Sequence, residues 1–231
     1  MSIFDQWQKI RGHSIWTAPL NANSVVVDAG AHKGEFSQTM NKLFGCRCIL
    51  IEANPDLAKD LVAPSKGEIV HAALAATDGV SQFVFRENQE SGSICTRSID
   101  RLNPTASVQT ISLKTLRLQH GINQLDLLKL DIEGAEFELI EATPDDVLSD
   151  IGQITVEFHD FLSDYQNKGL YEKARSRLER LGFTCINMAF RTHGDVIFLN
   201  QRRWAVSFAK IKLMQFTAKW VLKVKWGFLD Q

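Results

Sequence analysis

The chain has 231 residues, of which 45% are hydrophobic, and its formal net charge is −1. This length is enough for one sizeable α/β domain, and the near-zero charge gives no overall reason to expect nucleic-acid binding. The charge is nevertheless uneven, because residues 202–231 contain seven Lys or Arg and one acid and so carry +6, while residues 1–201 carry −7. We therefore divide the chain into a domain at residues 1–201 and a basic tail at residues 202–231.

The cysteines and the first residues favour a cytoplasmic protein. The four cysteines form neither a C-x-x-C pair nor a zinc-site spacing, as expected in a reducing compartment. Residues 1–14 lack the basic start and apolar run of a signal peptide, so we expect none. No run approaches the ~20 apolar residues that a membrane-spanning helix needs.

The first quarter of the chain predicts a helix followed by a β-α-β unit. The expected N-terminal helix carries Ile3, Phe4, Trp7 and Ile10. Ser24–Ala29 is short and β-branched, which favours a buried strand. Gly30 and Gly34 bracket a turn, and the helix that follows ends at Gly45. Cys46–Ile51 is the second predicted strand.

The glycine turn after the first strand predicts a nucleoside site. Glu52 follows the second strand, about 20 residues beyond the turn, where a carboxylate can accept hydrogen bonds from both ribose hydroxyls. The turn lacks the middle glycine of the dinucleotide fingerprint. Asp28, beside it, would repel a diphosphate and attract an ammonium group. This favours S-adenosylmethionine over NAD, with the backbone of His32 near the ligand. The alternative is an ordinary βα turn without a ligand.

The next part of the chain predicts one wall of that site. Asn54 and Pro55 are typical of a helix start, and we expect this helix to run to about Lys66. The third strand, Glu68–Ala73, ends in small residues that would leave a slot for a flat adenine ring. Glu87–Thr105 is polar and is interpreted as a surface loop or a lid. The other predicted elements here are strands at Ser81–Arg86 and Val108–Leu113 and a helix at Lys114–His120.

The second half of the chain predicts the rest of an α/β sheet. Leu125–Asp131 is expected as a fourth core strand, followed by a helix from Ala135 to about Ala142. Ile154–His159 is expected as a fifth strand. The remaining predicted elements are a helix at Tyr171–Leu181 and strands at Thr184–Met188 and Val196–Leu199. Because there is no internal repeat and no linker, we expect one domain for this part.

Two strand ends carry paired polar groups that suggest catalysis. Asp131 and Glu133 follow the fourth strand, and Glu157 and His159 lie at the end of the fifth. Residues two apart on a strand face the same side. His159 could therefore accept a proton from an acceptor hydroxyl while Glu157 or Asp131 orients its ring. The same four groups could instead hold a hard divalent cation, or simply form a polar end to the sheet. We favour the metal-free base.

The basic tail offers two interpretations. Lys212, Lys219 and Lys223 fall on one helical stripe, and aromatic and aliphatic residues occupy much of the rest. A basic amphipathic helix with tryptophans can lie on an anionic membrane surface. Because its apolar residues cover more than one face, we favour packing on the domain or on a second subunit, as in a homodimer.

Several runs of the sequence together resemble a known family. VVDAGAHKGEFS, IEANP, AALAATDG, LLKLDIEGAEFELI and ITVEFH are similar to the FkbM-type methyltransferases. The likeness covers roughly Ser24 to His159, with a looser match to Asn200, and its most specific part is the K-x-D-x-E-G-x-E run from Lys129 to Glu136. The resemblance implies a Rossmann-like class I methyltransferase fold: a mostly parallel, seven-strand sheet with helices on both faces. It also implies oxygen methylation with S-adenosylmethionine, commonly on sugars or polyketides.

The resemblance implies a role for each matching residue. Those expected to bind the cofactor are Asp28, Gly30, Gly34, Glu52, Asn54, Ala73 and Asp131, and His32 stands where the family often has asparagine. Asp131 and Glu133 would lie near the transferred methyl group, beside His159. We therefore predict a methyltransferase for a hydroxyl of a small molecule or glycan. The rivals are an NAD-dependent oxidoreductase and a nucleoside-binding module without catalysis.

Overall fold

The structure is a computed structural model and describes residues 6–85, 92–94, 103–160, 169–189, 192–204, 206 and 213. In chain order the strands are β1 (Trp7–Ile10), β2 (His13–Trp16), β3 (Val25–Ala29), β4 (Arg47–Glu52), β5 (Gly67–His71), β6 (Ala73–Leu74), β7 (Gly79–Phe85), β8 (Gly92–Ser93), β9 (Thr105–Ile111), β10 (Leu125–Leu130), β11 (Ile151–Val156), β12 (Phe183–Asn187) and β13 (Val196–Asn200). The helices are α1 (Glu35–Phe44), α2 (Pro55–Ala58), α3 (Leu113–Gln119), α4 (Glu136–Ala142), α5 (Asp145–Ser149) and α6 (Leu170–Arg180).

The main sheet has the strand order β12-β13-β11-β10-β3-β4-β5. The strands from β11 to β5 in this order run parallel, and β13 is antiparallel to both of its neighbours. The prediction of an α/β fold with a mainly parallel sheet is confirmed. β3 and β10 are neighbours, and the chain continues from them towards opposite edges of the sheet. Ligands of such folds bind outside the carboxyl ends of the strands at this point of reversal.

Helices cover both faces of the main sheet. Val27 and Leu128 pack into one core with α3, α4 and α6, whereas Val26 and Leu127 pack into another with α1. Because both faces are buried, the central strands are nearly continuous apolar runs. This is why the sequence pattern alone located them.

A second, smaller sheet lies beside the carboxyl edge of the main one. Its strand order is β6-β9-β7-β8. Phe83 of β7 and Val108 of β9 pack with Ala73 of β6, and Ala53, which follows β4, packs against the same cluster. The smaller sheet therefore covers the strand ends where the adenine slot was predicted.

The N-terminal segment forms a β-hairpin, and the prediction of a helix there was wrong. β1 and β2 pair antiparallel, with Trp7 opposite Trp16. The turn between them has positive φ at Arg11 (49°) and at Gly12 (84°). Two successive positive φ values are typical of a type I′ turn, whose twist matches that of the paired strands. Residues 1–5, also assigned to that helix, lie outside the described residues.

Two buried polar side chains fix the hairpin to the sheet. Gln153 of β11 accepts the N–H of Trp16 (3.1 Å) through Oε1 and donates to the Trp16 carbonyl (2.9 Å) through Nε2. Asp195 accepts the N–H of Ser14 at 2.9 Å and its hydroxyl at 2.6 Å. The partners are 137 and 181 residues apart in the chain. No local sequence pattern contains these contacts, which explains the wrong prediction.

Other predicted elements have different limits. The predicted third strand, Glu68–Ala73, is divided into β5 of the main sheet and β6 of the smaller sheet. α2 ends at Ala58 rather than near Lys66, because the chain turns away to bury Leu61 in the core under α1. β11 ends at Val156, where its pairing with β10 ends. Glu157 and His159 therefore follow the strand rather than belong to it, so the argument from two-residue alternation does not apply to them.

Some predictions fall outside the described residues. They include most of the Glu87–Thr105 loop, at 87–91 and 95–102, and most of the tail, at 205, 207–212 and 214–231. At the start of the tail, Arg203 pairs with Asp126 at 2.5 Å and Trp204 packs edge-on against Trp16. The lid, the domain boundary and the membrane or subunit contact of the tail stay predictions. Within the described part of the chain, no helix has the length and apolar content to cross a membrane.

Replacing Gln153 should destabilise the protein. In the Gln153→Leu variant the buried N–H and C=O of Trp16 lose their partner, which costs about 1–3 kcal/mol. Urea unfolding measures this free energy. Gln109→Leu, at an exposed position of β9, is the matched control and should change it by less than about 0.5 kcal/mol. Equal effects of the two substitutions would contradict the proposed anchoring of the hairpin.

Candidate active site

The turn between β3 and α1 contacts the ends of two other strands. The N–H groups of Gly30 and Ala31 both donate to the Ile51 carbonyl at 3.0 Å. Gly30 has a φ of 76°, and a Cβ on it would lie 1.9 Å from the carbonyl oxygen of Asp131. Only glycine fits both conditions. The turn is thus pressed directly onto the chain that leaves β10.

The side chain of Lys129, in β10, contacts both this turn and two acidic residues. Its buried Nζ donates to the Gly30 carbonyl at 2.7 Å and lies 3.3 Å from Asp28 Oδ1 and 3.5 Å from Asp131 Oδ2. Burial works against the charge of Lys129, but the two carboxylates outweigh it and raise its pKa. For Asp131 burial is again outweighed, here by Lys129, His13 and His159, which hold its pKa well below the usual range. We conclude that the lysine and Asp131 are both charged.

Asp28 lies behind the glycine turn, on the side of Ser37 and Lys129. The residue is fully buried; its Oδ2 accepts the hydroxyl of Ser37 at 2.7 Å, and its Oδ1 faces Lys129. It lies at the fourth position of β3, behind the turn rather than at the mouth of it. Asp28 can therefore influence a ligand only through its electric field and by supporting the glycine turn.

Glu52 stands at the end of β4 with its carboxylate fixed by two backbone donors. Oε2 accepts the N–H of His32 at 2.7 Å, and Oε1 accepts the N–H of Asn54 at 2.8 Å. Burial raises the pKa of this carboxyl, and the two donors offset only part of that effect. Asn54 itself is buried and caps α2, where its side chain accepts the N–H of Asp56. Each Glu52 oxygen keeps acceptor capacity for a further donor.

These elements enclose a cleft at the carboxyl edge of the sheet. The cavity that they enclose has a volume of about 200 Å³, and the cleft is open to solvent. The predicted residues that line it are Gly30, His32, Glu52, Ala73, Asp131 and Glu133. Asp28, Gly34 and Asn54 lie behind its wall. At the outer rim, Arg11 of the hairpin turn pairs with Glu35 of α1 at 2.8 Å.

His159 lies among three carboxylates next to Asp131 and Glu133, two residues of the cleft wall, but it is buried and is not itself part of the lining. Its Nδ1 is 3.0 Å from Glu136 Oε1, and its Nε2 is 3.6 Å from Glu133 Oε2 and 4.0 Å from Asp131 Oδ1. Glu136 is fully buried and accepts the N–H groups of Ile132 and Gly134. Burial works against a charge on His159, but the carboxylates, Glu136 first, raise its pKa to about 9. Glu136, rather than the predicted Glu157 or Asp131, holds the ring at Nδ1.

On the other side of Asp131 lies a second histidine. His13 of β2 is 1% exposed, and its Nε2 is 3.6 Å from Asp131 Oδ2. His13, Asp131 and Glu157 each offer one polar atom within 4.8 Å of the others, and Asp131, Glu133 and His159 form a second such group. Burial and the charge of Asp131 raise the pKa of Glu157. Asp131 is thus the centre of a cluster with a histidine on each side.

The structure adds three residues to the predicted set. Lys129 could have been identified from the sequence, since a single lysine in an apolar strand needs a buried partner for its charge. Glu136 belongs to the same sequence run, but nothing local shows that its side chain turns back to His159. His13 had no signal, because residues 1–23 were predicted as a short helix followed by a polar lead-in to the first strand. The structure brings Asp131, Glu133 and His159 together as predicted, and it places Glu157 on the His13 side of Asp131.

An α/β sheet with a glycine turn and a carboxylate after the next strand is typical of folds that bind a nucleoside or nucleotide. A family model described as the methyltransferase FkbM domain matches residues 28–185, more than half of the chain. The protein therefore belongs to the FkbM methyltransferase family, and the resemblance in the sequence is confirmed. A sequence search of curated proteins finds no match.

Two solved structures of methyltransferases are loosely similar. One is a precorrin-6y C5,15-methyltransferase from Geobacter metallireducens GS-15, with 16% identity over 78% of this chain and 79% of that one and a TM-score of 0.38. The other is the plantazolicin methyltransferase BpumL, solved with a substrate analogue and SAH, with 11% identity over 87% and 70% and a TM-score of 0.35. The family assignment depends on the sequence match and not on these structures.

A side chain at Gly30 should displace the end of β10. In Gly30→Ala, the left-handed backbone costs about 1–2 kcal/mol, and the clash with the Asp131 carbonyl adds to this. Gly121→Ala has a φ of 59° and open space around its new Cβ, so it measures the backbone contribution alone. We expect Gly30→Ala to lower the free energy of unfolding by at least about 1 kcal/mol more than Gly121→Ala. Equal losses in chemical denaturation would contradict the close contact.

Proposed function

We propose that this methyltransferase moves the methyl group of S-adenosylmethionine to a hydroxyl of a sugar or glycan. The observation that carries the proposal is the carboxylate of Glu52, which is fixed by two backbone N–H groups and lines the same cleft as Gly30 and Asp131. A preorganised acceptor next to a glycine turn suits a ribose and its neighbouring groups.

The residues around Glu52 fit an adenosyl group. A ribose has two vicinal hydroxyl donors, which match the remaining acceptor capacity of the Glu52 oxygens. Beside Glu52, the cleft is lined by Ala72 and Ala73, and by Phe83 of the smaller sheet, which packs with Ala73. Small side chains next to an aromatic ring suit a flat base. Asn54 would support this end from behind the wall.

The Gly30 turn and Asp131 fit the methionine end. Gly30 and Asp131 both line the cleft, and Asp131 offers a carboxylate that stays ionised because Lys129 is beside it. A charged carboxylate attracts an ammonium or a sulfonium group. Asp28 and Gly34 would act indirectly, by supporting the turn, and the backbone of His32 would be close to the ligand.

Bound at this place, the cofactor would supply an already activated methyl group, so that aligning the acceptor provides much of the rate. The chain must still take the proton of an acceptor hydroxyl. His159 is the group we assign to this step, with its Nε2 towards Asp131 and Glu133 and its Nδ1 held by Glu136. Because the carboxylates raise its pKa to about 9, it accepts the proton in the fraction of molecules whose ring is neutral, and this fraction grows as the pH approaches 9. A carboxylate on the far nitrogen fixes the ring and stabilises its protonated form.

The wall and rim of the cleft support a hydroxylated acceptor. Glu133 lines the inner end, and Arg11, Lys33 and Glu35 lie at the rim. Such groups match the many donors and acceptors of a sugar better than an apolar substrate. Membership in a methyltransferase family argues against the NAD-dependent oxidoreductase. The non-catalytic module remains a rival that the variants below exclude or support.

Glu52→Gln should weaken cofactor binding. The amide removes the charge and one acceptor, and it leaves a backbone N–H of His32 or Asn54 poorly paired. Hydrogen bonds to charged groups contribute about 1.5–3 kcal/mol, so we expect the Kd for S-adenosylmethionine to rise at least about tenfold by calorimetry. Glu138→Gln, at an exposed position of α4, is the control and should leave it unchanged. Wild-type affinity in Glu52→Gln would refute the ribose assignment.

His159→Gln should separate binding from turnover. We expect kcat to fall by about 10²–10⁴, because the proton acceptor is lost, while the Kd for S-adenosylmethionine changes little. The assay follows S-adenosylhomocysteine release with a panel of sugars, sugar nucleotides and oligosaccharides. His71→Gln, at an exposed histidine at the end of β5, should behave as wild type. Full activity of His159→Gln on an acceptor hydroxyl would remove His159 from the mechanism.

A further inference from the structure

His13 is a buried polar side chain without a hydrogen-bond partner. It is 1% exposed, and neither ring nitrogen has a hydrogen-bond partner within the part of the chain that the structure describes. Burying such a group unpaired costs about 1–3 kcal/mol, so an unpaired buried histidine calls for an explanation. Its Nε2 lies 3.6 Å from Asp131 Oδ2, which is too long for a hydrogen bond but suitable for two ligands of one ion.

The hairpin holds His13 firmly in this place. The next residue, Ser14, is bonded to Asp195 through both its N–H and its hydroxyl. The edge of the His13 ring contacts Phe36 of α1, with the ring centroids 6.0 Å apart. The imidazole is therefore fixed between a packed phenyl ring and Asp131, a degree of positioning typical of ligand residues.

Two carboxylates complete a set of ligands with His13. One polar atom each from His13, Asp131 and Glu157 lies within 4.8 Å of the others. With metal–ligand bonds of about 2.0–2.2 Å, two ligands of one ion are up to about 4.2 Å apart, so small side-chain movements would close the set. Asp131 lines the cleft, so an ion here would be accessible from the acceptor side.

The local charge favours a cation at this place. Four carboxylates lie around the two histidines. Asp131, Glu133 and Glu136 surround His159, and Glu157 belongs to the group of Asp131 and His13. The ammonium group of Lys129 lies 3.5 Å from Asp131, but it also contacts Asp28 and the Gly30 carbonyl, so it neutralises Asp131 only in part. Carboxylates that crowd together in a partly buried site repel one another, and a divalent ion relieves that repulsion.

We propose that His13, Asp131 and Glu157 bind a divalent first-row transition cation. One imidazole and two carboxylates suit Mn²⁺, Fe²⁺ or Zn²⁺ better than Mg²⁺ or Ca²⁺, which prefer oxygen ligands alone. This set shares Asp131 and Glu157 with the four groups considered from the sequence. It differs from them because His13 of the hairpin takes the place of His159, and Glu133 is not included.

The role of the ion rests on the proposed function. A cation beside Asp131 would bind the oxygen of the acceptor hydroxyl and make its proton more acidic. His159, on the opposite side of Asp131, would accept that proton as the O–H bond breaks. The new O–CH₃ bond forms with the electron pair left on oxygen, while the S–CH₃ bond breaks and its electrons return to sulfur.

The test is binding of Mn²⁺ alone to the full chain after treatment with a chelator and its removal. We expect one site by calorimetry and by loss of the free-ion electron paramagnetic resonance signal. His13→Ala, His13→Gln and Glu157→Gln should each weaken binding at least about tenfold, and His71→Ala should not. Circular dichroism and thermal unfolding identify any variant that fails to fold, in which case the other variants decide.

Two outcomes would overturn the proposed metal site, and a separate titration distinguishes its failure from failure of the proposed function. Absence of Mn²⁺ and Zn²⁺ binding at millimolar concentration overturns it. Binding that is lost in His159→Gln and Glu133→Gln but kept in His13→Ala also overturns it, because the ion then belongs to the other side of Asp131. S-Adenosylmethionine is titrated separately into the chelated protein. Cofactor binding without Mn²⁺ binding refutes only the metal site, whereas Mn²⁺ binding without cofactor binding refutes the proposed function.

Discussion

The contact between the Gly30 turn and the end of β10 is the constraint on which the site depends. It requires a residue without a Cβ on one side and the bare backbone of Asp131 on the other. Lys129 strengthens it from below, because one ammonium group bonds the turn and lies between Asp28 and Asp131. Removing one partner of such a buried ionic group is far more costly than the net contribution of the group to stability. The arrangement therefore has little tolerance for substitution.

This constraint divides the cleft into two ends with different chemistry. On the β4 side, Glu52 is held by the backbone and offers acceptors in a largely apolar wall. On the β10 side, Asp131 is the centre of a cluster of acids and histidines. In the proposed function the first end binds the adenosyl group, and the second receives the acceptor. The sulfonium would lie between them, over the glycine turn, where negative charge surrounds it.

The sequence predicted the parts of this site that depend on local pattern. Buried parallel strands are continuous apolar runs, so β3, β4 and β10 were located from their sequence pattern. The acids at the ends of two of them, Glu52 and Asp131, followed from the strand limits. The orientation of side chains was less accessible. Asp28 was expected at the mouth of the turn, but it faces the buried Lys129, because the partner that attracts it comes from a strand about 100 residues later.

The parts that failed depend on contacts between distant residues. The hairpin is stabilised because Gln153 forms hydrogen bonds with its backbone and Asp195 forms them with Ser14. Both partners are far from the hairpin in the sequence. A pattern of Trp7 and Ile10 is compatible with a helix or with a strand until those partners are known. His13 was missed for the same reason. Glu136 was seen only as part of a motif, since its contact with His159 requires the turn at Gly134 to place it.

The most direct test of the account is a crystal structure of the protein with S-adenosylhomocysteine. The account predicts both ribose hydroxyls on the Glu52 carboxylate, the adenine beside Ala73, and the sulfur over Gly30 facing Asp131. A ligand bound elsewhere, or one whose ribose is turned away from Glu52, would contradict it.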